Sequence, residues 1–445
     1  MAAAAAAFTF ADEPVADLKV AELSGNASVT WGVDLDTGKT GFKNAGESTF
    51  KVNIANKGSK STSGEGIWAE IGVEATQNVG FKSHSGTTDE SGVGGWDGDN
   101  GGKVKVSAAK LHFGPVYLGI TKGDTLYGAY KIPNAIRSAD NDNAEKTGDV
   151  AGTSHTQGIV AGYSSDLFDV AVDFRSNPDG TNYYNNDYGF AGEATLKFVP
   201  NLAIGVGADY QINQKAFGLG ANASYKISLG EKFYVKPSAA FTMGKIDTAN
   251  PTMEMAAGVL FGWGDTADAN AGVYYLDNDA AKKVTPGVGV AAKITSLTNN
   301  PVIHLVPSFY SGDIIPNLTA AALGEINIPT ASGSTIGFGV AAGLKYALAI
   351  NDSVKITPQV GMRFAKGATL PNFTAAYANP DNGGKTDLVG TNTDGTLMNV
   401  KVGADVSGLI NNTTFSVDWT SRNLLSNSQD AGRVGTINVT CKIAL

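Results

Sequence analysis

Hydrophobic and polar residues alternate with period two along most of this 445-residue chain. In 335–346, Ile336, Phe338, Val340, Ala342, Leu344 and Tyr346 share one face, while Thr335, Gly337, Gly339, Ala341, Gly343 and Lys345 share the other. In 354–365 the apolar face holds Val354, Ile356, Pro358, Val360, Met362 and Phe364, opposite Lys355, Thr357, Gln359, Gly361, Arg363 and Ala365. Such alternation predicts strands with one apolar and one polar face. The same pattern predicts strands over 29–35, 48–55, 67–75, 103–109, 158–164, 168–175, 188–198, 202–211, 217–229, 233–242, 252–263, 271–276, 284–294, 301–310, 397–407, 413–420 and 434–445. These nineteen segments, with boundary shifts of a few residues, predict about 16–20 strands. No amphipathic helix longer than two turns is found. Residues 315–330 are ambiguous, with Pro316 and Pro329 restricting a helix there.

Alternation alone also suits stacked soluble sandwiches or a secreted β-solenoid, which stay open as alternatives. Three features favour an all-β, closed antiparallel transmembrane β-barrel. Several strands are long enough, when tilted, to cross about 30 Å of hydrocarbon. The polar face is small and charged, which a water-filled lumen accepts and a packed core does not. Aromatics recur near strand ends, as at Phe233, Phe261, Trp263 and Phe364, although aromatics favour strands in general. In lipid every backbone amide must pair within the protein, and a closed ring of strands achieves that.

Composition narrows the function classes. A hydrophobic share of 42% argues against disorder, and the 56 glycines follow no period of three. No apolar run approaches the length of a membrane helix. A net charge of −9 argues against a nucleic-acid partner. Long acidic connections at 83–102, 134–157 and 366–396, and a shorter one at 176–187, are expected at the outer surface.

Enzyme chemistry finds no support. His84, His112, His155 and His304 share no ligand spacing, and Cys441 has no second cysteine. No nucleophile elbow, phosphate-binding loop or dinucleotide fingerprint occurs. Glu70 and Glu74 lie four residues apart on one strand, roughly 13 Å, too far for paired acid–base work. Asp97, Asp99 and Asn100, and the run Asp140 to Asn143, offer oxygens of the kind Ca²⁺ takes. Neither has the final bidentate Glu of an EF-hand, and a solvated loop is the simpler account. No cofactor and no metal are therefore expected. The expected function is passive diffusion through a water-filled lumen. Its candidate pore-facing charges are Lys51, Glu70, Glu74, Asp173, Arg175, Glu193, Lys197, Asp209, Lys226, Lys355, Arg363, Lys401, Asp405, Asp418 and Lys442. Eight of the fifteen are basic, so their balance leaves ion selectivity open.

Three stretches carry a family resemblance: LSGNASVTWGVDLDTGKTGFKN (23–44), IWAEIGVEA (67–75) and KVKVSAAKLHFGPVYLGI (103–120). They resemble the major outer sheath proteins of oral treponemes and the related Tpr repeat proteins. GFAGEATLKFVPNLAIGVGADY (189–210) is compatible with the same family. The resemblance implies an abundant porin of the spirochaete outer membrane, in contact with its lipid. It also implies a homotrimer passing small hydrophilic solutes, and an N-terminal division, here 21–157, within a barrel spanning 21–445. The alternative it implies is a surface adhesin or sheath protein that binds host matrix proteins such as fibronectin, with the barrel as anchor. Residues 1–20 read as an altered signal segment lacking a basic start. The chain departs from the commonest closing-strand signal by ending in Leu445 instead of an aromatic residue.

Overall fold

A computed structural model describes residues 22–56, 67–79, 103–122, 157–176, 188–212, 215–244, 251–264, 269–276, 283–366, 396–425 and 433–444. All of its regular elements are strands. The first ten are β1 (Glu22–Asp34), β2 (Thr40–Asn56), β3 (Ile67–Val79), β4 (Lys103–Phe113), β5 (Val116–Lys122), β6 (Gln157–Ser164), β7 (Phe168–Ser176), β8 (Tyr188–Leu196), β9 (Leu202–Gln211) and β10 (Ala216–Tyr225). Next come β11 (Ile227–Leu229), β12 (Phe233–Gly244), β13 (Thr252–Trp263), β14 (Ala269–Asn270), β15 (Lys283–Val284), β16 (Gly287–Thr295) and β17 (Val302–Tyr310). The chain continues with β18 (Leu318–Pro329), β19 (Gly337–Tyr346), β20 (Leu348–Ala349), β21 (Lys355–Lys366), β22 (Leu397–Ser407), β23 (Thr413–Thr420) and β24 (Thr436–Ala444).

Each wall strand pairs antiparallel with the next, and the last pairs with the first. The β1–β24 register runs from Asn26↔Ala444 to Asp34↔Thr436, so the ladder returns to its start and leaves no open edge. The sheet has 22 strands. Short β11 and β20 extend β10 and β19 along the same partners, β12 and β21, which leaves twenty staves.

Eighteen of the nineteen predicted segments are staves. The exception is 271–276, which leaves the wall. There Ala271, Val273 and Leu276 pack against the inside of the wall instead of extending it. Two staves were not predicted. Strand β5 is hidden behind the two-residue Gly114–Pro115 turn. Strand β18 occupies the ambiguous 315–330 stretch, where Ala321 and Leu323 make the inner face apolar and blur the alternation.

The two faces are inverted relative to a water-soluble protein. Outward Ile120 is 65% exposed, Ile336 59% and Val417 52%, whereas inward Asn327 is 0%, Glu325 1%, Lys293 2% and Arg363 5% exposed. In β21 the alternation places Gln359, Gly361, Arg363 and Ala365 inside and Met362 outside. Facing is thus as expected: Ile336, Phe338, Val340, Leu344, Val360, Met362 and Phe364 lie outward, and Lys345, Lys355, Gln359 and Arg363 inward. Outward rings cluster at one end of the wall, with centroids 5.8 Å apart for Phe233 and Phe261, and 6.4 Å for both Phe261–Trp263 and Trp263–Phe309. Cys441 lies on the same outer face as Val439 and Ile443.

Strict antiparallel order also sorts the connections by end. Strand ends bordering 80–102, 123–156, 177–187 and 367–395 all fall at one end. The opposite end carries Glu22, Ala444 and the tight turns after β4, β6, β8 and β22. At this turn end the chain leaves β13 and returns at β16.

Candidate functional site

Residues 269–276 form an inner layer against the wall. The short β14–β15 pair, Ala269↔Val284 and Asn270↔Lys283, returns the chain on itself. Beyond it, Ala271, Val273 and Leu276 pack with the wall residues Val306, Ala321, Leu323 and Ala341, with Tyr275 and Tyr310 alongside. Val273 is 0% and Leu276 1% exposed. A polar inner wall would reject such a segment, and here the wall turns apolar to receive it.

Three glycines complete the seat. Gly343 and Gly361 are directly opposed across β19 and β21, and Gly403 lies beside them on β22, opposite Gln359. A Cβ would stand 2.8 Å from Tyr274 O at Gly343, 2.6 Å from Tyr274 Cβ at Gly361 and 2.5 Å from Tyr274 Oη at Gly403. The close approach of segment and wall therefore depends on absent side chains.

Three wall cations hold the segment. Lys345 Nζ donates to Gly272 O at 2.7 Å. Lys401 Nζ sits 4.3 Å from the Tyr274 ring centroid, and Arg363 Cζ 4.7 Å from that of Tyr275, both within cation–π range. Leu276 N donates to Val273 O at 2.9 Å, closing a turn in which Tyr275 takes φ +67°. A bulky residue rarely occupies that region, and the surrounding contacts hold it there.

Polar partners spread from this seat around the inner face. Arg363 Nε donates to Asn399 Oδ1 at 2.7 Å, and Gln359 Nε2 to Asp405 Oδ2 at 3.1 Å. Asp418 accepts from Thr420 and Asn438 and lies 3.6 Å from Lys401 Nζ. On neighbouring staves Lys293 pairs with Glu254 at 3.0 Å, and His304 Nδ1 lies 3.0 Å from Glu325 Oε1.

Of the fifteen candidate charges, Asp173, Glu193, Lys197, Asp209, Lys226, Lys355, Arg363, Lys401, Asp405, Asp418 and Lys442 all fall on the inner parity. The seat gathers Arg363, Lys401, Asp405 and Asp418; the others are distributed over the wall. The side chains of Lys51, Glu70, Glu74 and Arg175 lie outside the described residues, although the register sets Lys51 opposite Glu74. The loop stretches Asp97 to Asn100 and Asp140 to Asn143 also lie outside them. Tyr274, Tyr275, Lys293, Glu325 and Asn399 were missing from the expected set. Only the shortness of 271–276 and its polar flanks could have flagged the two tyrosines.

No family model matches the chain. Among curated proteins it is 28% identical to the major outer membrane protein MspA of Treponema maltophilum, covering 98% of this chain and 97% of that one. It is also 28% identical to the major surface protein MspTL of Treponema lecithinolyticum, covering 94% and 91%. Among solved structures it is similar to Pseudomonas aeruginosa OpdQ, at 9% identity, TM-score 0.42 and coverage of 96% and 98%. A Rh. blastica porin mutant gives 11% identity, TM-score 0.36 and coverage of 96% and 100%. At those scores the solved structures add no weight to the fold, which stands on the strand pairing. Similarity running almost end to end makes the chain a homologue of the Treponema major outer membrane and surface proteins and places it in the outer membrane.

Proposed function

We propose that the chain is an outer-membrane porin through which small hydrophilic solutes and ions diffuse passively, with no covalent step. The observation that carries this reading is the inverted wall: a closed ring of twenty staves with apolar side chains outward and charged side chains inward. Lipid solvates the first face and water the second, and a ring of this size leaves an aqueous lumen. The inner-parity charges would then line the passage and act on ions by sign and position. Residues 22–444 act in this reading as one barrel, and lipid and a homotrimeric assembly are its partners. The curated relatives are named as outer membrane and surface proteins, not as enzymes, which fits a non-catalytic role.

The test is reconstitution of detergent-purified, folded protein into liposomes, followed by swelling in isosmotic sugars of increasing size. Rapid swelling with small sugars and none with large ones is expected; no swelling with any sugar refutes the reading. A second reading, a surface-binding protein anchored by its barrel, is favoured by the strand ends that border 80–102, 123–156, 177–187 and 367–395, all of which fall at one end; connections on a rigid scaffold can bind partners without disturbing the sheet.

A further inference from the structure

We propose that Ala271–Leu276 is the constriction of this channel, a fixed inner strap fed from the end that carries Glu22 and Ala444 and clamped by Lys345, Arg363 and Lys401. The inference rests on the porin reading and names the part of the lumen that limits passage. The direction of entry follows from strand parity: β13 runs toward the turn end, and β16 starts from it. The strap reaches Gly361 and Gly403, in the interior of β21 and β22, so it extends well into the barrel.

Fixity follows from the seat. An element that swings in and out needs a surface that water can reclaim cheaply, but Val273 and Leu276 are sealed against Val306, Leu323 and Ala341. Their burial takes apolar surface out of water, and together with the cation contacts it holds the strap. The strained Tyr275 backbone, at φ +67°, presents the ring to Arg363 at the strap's turn. Passage is therefore confined to the lumen cross-section that the strap leaves.

One comparison tests this: the single-channel conductance of the parent against that of a variant lacking 271–276. Should that variant not fold, Tyr274→Ala with Lys401→Gln loosens the seat instead. The strapless channel is expected to conduct about twofold or more above the parent, since a wider passage carries more current. A silent parent beside a conducting strapless variant makes the segment a plug and overturns the constriction together with the porin reading. Equal conductance with and without the strap overturns the inference and leaves the porin reading standing. Silence from both folded proteins overturns the porin reading itself, and the constriction with it.

Discussion

Replacing Asp36 by Ala should loosen the seam where the first and last staves meet. Asp36 sits in the turn after β1, at the same end of the barrel as the last residues of β3, β5, β7 and β21. Its carboxylate accepts the N–H groups of Arg433 at 2.9 Å, Val434 at 3.0 Å and Gly435 at 2.8 Å, and pairs with Arg422 Nη1 at 2.5 Å. The Arg422 side chain is 5% exposed and also holds Asp34 at 2.9 Å. Water can replace the partners of Arg433 and Val434, which are exposed, but not readily those of Gly435 and Arg422, which are buried. With about 1.5–3 kcal/mol for a hydrogen bond to a charged group, and Asp34 still paired to Arg422, the expected loss is about 2–4 kcal/mol. Burial raises the pKa of Asp36, but the N–H groups of Gly435, Val434 and Arg433 and the Arg422 charge outweigh it, so the pKa lies below the ordinary 3.8. A lowered folded pKa means the contribution is complete above the unfolded value and fades as pH falls through the folded one. The assay is the temperature at which the folded band disappears on semi-native electrophoresis, read from neutral pH down to pH 2. The variant should melt lower at pH 7, with Asp36→Asn in between, and the gap should close in strong acid. An equal melting temperature at pH 7, or a gap that widens on acidification, would refute the clasp.

Val340→Arg should cost roughly 2–4 kcal/mol in lipid if the position lies at the bilayer midplane, measured by urea titration in vesicles, whereas Lys355→Ala should leave the midpoint unchanged. Labelled single cysteines at Val360 and Met362, in a Cys441→Ser background, should be quenched by lipid-borne probes and those at Thr357 and Gln359 should not; reversed parity would mean a one-residue slip of the whole strand. Lys355→Glu with Arg363→Glu should shift the reversal potential toward cations, and Arg363→Glu alone should also raise conductance because it strips the Tyr275 ring of its cation; unchanged values would remove both residues from the passage.

Most of the wall was legible because period-two alternation survives wherever lipid faces one side and polar groups the other. It failed at β18, where Ala321 and Leu323 turn inward to receive the strap, so an inner surface looked like an outer one. It misled at 271–276 for the complementary reason: AGVYYL alternates like a stave but packs inside the ring. Parity, and hence the inward facing of Lys355, Arg363, Lys401 and Asp405, needs only the local pattern. Which of those charges meet at one place depends on the register between staves and on where 271–276 packs. Glycines 343, 361 and 403 acquire their meaning only when three strands are aligned side by side. The Arg422 clasp joins residues 386 and 388 positions apart, a pairing no local pattern encodes.

Planar-bilayer recording from the folded protein is the most direct test of an aqueous passage inside this closed ring. Stable, ohmic steps of uniform size, present with the folded protein and abolished by prior heat denaturation, are the predicted result. A folded barrel that inserts into the bilayer and yields no steps, with or without residues 271–276, would contradict it.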